Sequence, residues 1–183
     1  MLHNLMINLA KSMALLGGVV LLCLIAIVGI SALGLQVNGF GHLDWVETSA
    51  PRFAAWLLGT GVGPLTGDYE LVAAGAAFAI FAFLPICQIT GGHASVDILT
   101  DRFPPRIQAA LIAFWEVVLA ATLILIAARL YVGTMDKMRY GETSYLIQFP
   151  LWWSYGASCA AAAIAALVGV YCAAWRFAQA VKP

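Results

Sequence analysis

No charged residue interrupts the chain between Lys11 and Asp44, and continuous apolar character runs from about Ser12 to Leu35. Leu71 to Gly92 and Leu151 to Trp175 are equally free of charge, and Ile107 to Ala128 carries Glu116 alone. A spanning helix needs roughly 20 apolar residues. Lipid offers a backbone no hydrogen bonds, so a lone stretch of this length must satisfy its own groups as a helix. The four stretches therefore predict an all-α integral membrane protein with four transmembrane helices, spanning about 12–35, 70–92, 107–130 and 150–175 of a single transmembrane domain over residues 1–183.

Composition narrows the function classes. Hydrophobic residues make up 63% of the chain and charged residues 10%, against about 25% charged in ordinary soluble domains. Lys plus Arg equals Asp plus Glu at 9 each, so there is no basic surface for a nucleic acid. The first apolar stretch exceeds the roughly 7 to 15 residues of a signal-peptide core and reads as a retained anchor. Cys23, Cys87, Cys159 and Cys172 lie inside the spans without CxxC spacing and read as small apolar packing residues. His3, His42 and His93 lie in or beside the non-spanning segments, which disfavours bis-histidine haem ligation within the membrane. No catalytic residue, metal ligand or cofactor is expected in this chain, and no enzymatic activity.

Four spans place both termini on one side. Lys11, Arg102, Arg106, Arg176 and Lys182 flank the spans on that side, against Arg129, Lys137 and Arg139 opposite. The bias predicts cytoplasmic termini. It puts residues 36–70 and 129–149 on the far side and keeps 93–106 inside. In the first external segment, Ser49 is a candidate cap for a short helix with Pro51 in its first turn, and Gly59, Gly61, Gly63, Pro64 and Gly67 end it. Phe53, Trp56 and Leu57 give this helix an apolar face, and Trp45 precedes it. The expected geometry is an interfacial arm along the membrane surface, with an ordinary structured loop as the alternative.

Several residues stand out as structural or interface candidates. His93 and Asp97 follow Gly91-Gly92 at helical spacing and suggest a cytoplasmic hydrogen-bonding clasp. Glu116 is the one ionisable residue well inside a span. At an insertion cost of roughly 3 kcal/mol it must be protonated, paired or hydrated. Arg129 lies about 20 Å along the same helix and cannot neutralise it, so a partner on another helix is expected. The default reading is a protonated acid in a helix seam, with an ion pathway as the alternative. Asp136, Lys137, Arg139, Tyr140, Gly141 and Glu142 read as a solvated external turn. Pro150 suits the first turn of the last span, and Trp152, Trp153 and Tyr155 its interfacial belt. Gly17-Gly18, Gly75 with Ala79, and the small-residue run from Gly156 to Ala166 permit close helix approach within or between subunits.

The sequence resembles the small integral membrane subunit (small permease) of tripartite ATP-independent periplasmic transporters. The resemblance rests on Asp68-Tyr69-Glu70, Phe81-Ala82-Phe83-Leu84-Pro85, Gly92-His93-Ala94-Ser95-Val96-Asp97 and Phe103-Pro104-Pro105-Arg106. It continues through Gly141-Glu142-Thr143-Ser144 and Ile147-Gln148-Phe149-Pro150-Leu151-Trp152-Trp153-Ser154-Tyr155, covering most of 12–175. It implies a scaffold in the bacterial inner membrane beside a large membrane subunit, with a periplasmic substrate-binding protein and membrane lipids as further partners. Such complexes import small organic acids and related solutes on an ion gradient, commonly sodium, which acts at the large subunit. The chain departs from the family pattern in the acids before the second span and in its extended 36–67 segment. Two other classes compete, the membrane anchor of a redox enzyme and a stand-alone carrier. Bound haem or quinone would mark the first, and transport by the purified chain the second.

Overall fold

A computed structural model describes residues 2–92 and 104–180. Among the described residues six helices follow in order: α1 (Leu2–Gly41), α2 (Asp44–Ser49), α3 (Pro51–Gly59), α4 (Asp68–Thr90), α5 (Pro105–Tyr140) and α6 (Leu151–Ala180). Four of them, α1, α4, α5 and α6, are long and apolar enough to cross a membrane. The protein is all-α, as the apolar stretches predict.

The long helices stand in a row. α1 packs on α4, α4 on α6, and α6 on α5, while α4 and α5 make no substantial contact with each other. Half of the apolar window of α6 is buried, against 17% for α1 and 22% each for α4 and α5. α6 can occupy the middle because its inward positions are small: Ala161, Ala162 and Ala165 are fully buried, and small side chains let helix backbones approach where lipid supplies no hydrophobic drive. Met13, Ala82 and Ala161 form one packing layer, Met6, Val168 and Cys172 a second, and Leu123, Ala165 and Ala166 a third. Gly17 belongs to the α1–α4 seam, where a Cβ would lie 2.9 Å from that of Ala82. Gly18 faces open space.

The connection from α1 to α4 is tied back onto α1. The Ser31 hydroxyl donates to Asp68 Oδ2 at 2.5 Å and accepts the Leu65 N–H at 3.1 Å. Asn38 donates to the Val62 carbonyl at 2.9 Å. Between them a Cβ on Gly34 would lie 2.2 Å from the Gly63 carbonyl oxygen, so only glycine admits this approach. Ser31, Gly34 and Asn38 recur at helical spacing and so share one face.

Two details correct the sequence reading. Ser49 does not cap the short helix: it ends α2, and Ala50 precedes Pro51 without any side-chain bond. Pro51 supplies the start instead, since it lacks an N–H and its φ is already helical. The charged stretch 136–140 is not a turn but the end of α5. Lys137 and Arg139 lie in its last turn, where cations meet the negative end of the helix dipole. Gly141 then closes it at φ 61°, a left-handed cap glycine adopts without penalty.

Candidate functional site

The side of the molecule away from the termini is built around Glu70. As a first-turn acid of α4 it suits the positive end of the helix dipole. Its carboxylate reaches across to the α5–α6 connection and accepts the N–H of Leu146 at 2.7 Å and of Ile147 at 3.0 Å. Gly67 admits the loop, since a Cβ there would lie 2.4 Å from Ile147 Cγ1. Inside the connection the Ser144 N–H bonds the Phe149 carbonyl at 2.9 Å, and the Leu151 N–H bonds Glu142 at 3.0 Å. Thr143 pairs with Pro150, and Lys137 with Glu142. The result is a preformed loop whose tip, Tyr145-Leu146-Ile147, projects outward, with Tyr145 90% exposed.

Glu70, Gly141 and Pro150 thus belong to one construction. Pro150 stands just before α6 and accepts the Trp153 N–H at 3.1 Å. Trp152 and Trp153 stack edge to face at 6.0 Å on the first turn. Both retain exposed surface at the level where a belt of amphipathic rings is useful.

A second polar construction lies toward the termini. Glu116 of α5 meets Arg176 of α6 at 3.2 Å, so its counter-charge comes from another helix, as the distance to Arg129 required. The seam sets the acid against a guanidinium and does not leave it without a partner. Arg176 also lies beside Gly91, the left-handed cap of α4, so one guanidinium stands at α4, α5 and α6 together. One layer deeper, Gln88 is fully buried beside Gly169 and Ala120. Its amide and Glu116 Oε2 find no hydrogen-bond partner among the described residues. The termini meet on this side too: His3 Nδ1 lies 2.9 Å from the Tyr171 hydroxyl, and its ring stacks on Trp175.

The arm residues separate. Trp45 on α2 packs edge to face against Phe40, and Phe53 and Trp56 on α3 lie 6.1 Å apart, all exposed. Leu57 instead turns back with Leu58 onto Gly41 of α1. His93 and Asp97 lie outside the described residues. No cluster of three metal-ligating side chains occurs among the described residues.

Because α4 and α5 make no substantial contact, a groove opens between them on the Glu70 side, with α6 as its floor. It encloses about 530 Å³. Ala73, Ala74 and Ala77 form one wall, Leu130 the other, and Ser154, Tyr155 and Ser158 the floor.

Residues 53–180 match the family model of tripartite ATP-independent periplasmic transporters, DctQ component. No curated protein and no solved structure matches the chain.

Proposed function

Because the chain belongs to the DctQ component family of tripartite ATP-independent periplasmic transporters, we propose that it is the small scaffold subunit of such a transporter in the bacterial inner membrane. In this reading it supports a large membrane subunit during ion-gradient-driven import of small organic acids or related solutes delivered by a periplasmic binding protein. Sodium, where it is the coupling ion, acts at the large subunit.

The observation that carries the proposal is the open row. A closed four-helix bundle would bury one face of each long helix about equally. Here α6 is more than twice as buried as any other long helix, while the outer helices α1 and α5 leave long apolar faces uncovered. Such a row supplies a wall for a larger neighbour more readily than a pathway of its own. The Glu116–Arg176 pair fits the same role, since an acid engaged by arginine holds two helices in register. The Glu70-braced loop offers the binding protein a rigid surface on the side away from the termini. His93 and Asp97 are assigned to a clasp that supports assembly, and the arm to the membrane surface.

The test is genetic. Deleting this chain is expected to lower the amount of the large subunit in the membrane and to abolish import of the solutes held by the binding protein. Supplying it in trans restores both. Undiminished import without the chain contradicts the proposal.

A further inference from the structure

The groove between α4 and α5 has a lining that selects its occupant. A polymethylene chain is thin and follows any curvature. Ala73, Ala74 and Ala77 give it a smooth apolar wall, with Leu130 opposite. An empty groove would forfeit the dispersion contacts of everything lining it.

The mouth carries polar groups at the height of a lipid headgroup. Tyr69, Tyr145 and Tyr155 line it with Glu70, and the Lys137 ammonium stands 5.9 Å from the centre of the Tyr155 ring. Both charge signs are therefore present beside the groove, Lys137 being shared with Glu142. One turn below Tyr155, Ser158 is 2% exposed, and its hydroxyl has no hydrogen-bond partner among the described residues. A buried hydroxyl without a partner costs free energy. One turn below an interfacial tyrosine is also the depth at which a phospholipid carries its ester carbonyls.

We propose that this groove is a binding site for a single zwitterionic phospholipid of the leaflet away from the termini. One acyl chain lies against Ala73, Ala74 and Ala77, the Ser158 hydroxyl turns to donate to an ester carbonyl, and the headgroup lies between Glu70 and Lys137. The lipid completes the wall that α4 and α5 leave open.

The full chain, reconstituted in bilayers of phosphatidylethanolamine and phosphatidylglycerol and released into mild detergent, is measured by native mass spectrometry. About one retained phosphatidylethanolamine per chain is expected, enriched over the bulk mixture. Ala77→Leu fills the groove and is expected to reduce retention about tenfold, corresponding to ~1.4 kcal/mol. Ser158→Ala conserves the fold and is expected to reduce it severalfold, whereas Leu125→Phe on the outer face of α5 leaves it unchanged. Retention of neither lipid, retention in the bulk ratio, or retention indifferent to both groove variants overturns the proposal. So does a complex in which a cysteine placed at Ala74 crosslinks to the large subunit instead of to a photoreactive acyl chain. The retention measurement needs no partner, so a chain that assembles normally yet holds no lipid refutes the lipid site alone.

Discussion

At the scale of single residues, the Glu116–Arg176 pair shows how an intramembrane charge is accommodated. Glu116 is 8% exposed at its side chain and Arg176 26%, so the acid bears most of the desolvation and the guanidinium keeps some access to solvent. Glu116→Leu leaves the arginine facing an apolar seam, and Arg176→Leu leaves a buried acid alone. Breaking a buried pair from one side costs about 3–5 kcal/mol, and solvent at Arg176 puts Glu116→Leu at or below the lower end. Replacing both with leucine is expected to recover more than half of either loss, because two apolar side chains of similar volume leave no orphan. Glu116→Gln keeps an acceptor for the arginine and falls between the wild type and Glu116→Leu. Thermal unfolding of the purified variants in detergent checks the order. A double variant no better than the worse single one means that the pair is incidental.

At the scale of elements, the connection between α5 and α6 is braced from outside itself. Glu70 accepts its bonds from Leu146 and Ile147, 76 and 77 residues away. Glu70→Ala removes the acceptor while the internal bonds of Ser144 and Leu151 remain. Amide hydrogen exchange is therefore expected to speed up at residues 145–148, with α6 beyond its first turn unchanged. Equal protection in both proteins would mean that the loop holds itself.

The long elements were legible because an apolar stretch of more than 20 residues with at most one charge has few ways to fold. The helix after Pro51 was legible too, from proline and aromatic spacing. The short α2 was not, since six residues carry no readable period. The extension of α5 to Tyr140 was hidden by its charges, which signal solvent but say nothing against a helix. Glu70, Gly141, Pro150 and Glu116 each stood out in the sequence. What joins them, a bond across 76 residues and an ion pair across 60, depends on tertiary placement that no local pattern encodes. Arg176, which entered the sequence argument only as a topological charge, is the clearest residue missed.

At the scale of the whole molecule, four spans and the contact of His3 with Tyr171 put the termini together, and the Lys/Arg bias predicts that this side faces the cytoplasm. In a variant without native cysteines, a cysteine at Thr143 is expected to react with an impermeant reagent in intact cells, and one at Ser95 to be protected. The opposite pattern reverses the orientation. The central claim is that the uncovered faces of this open row belong against a larger transport subunit. Affinity purification of the tagged chain from native membranes in mild detergent, with mass spectrometry of what elutes, tests it most directly. A large multi-pass transport subunit in a fixed ratio to the chain is the predicted result, and elution of the chain alone, or with a haem- or quinone-bearing enzyme, would contradict the account.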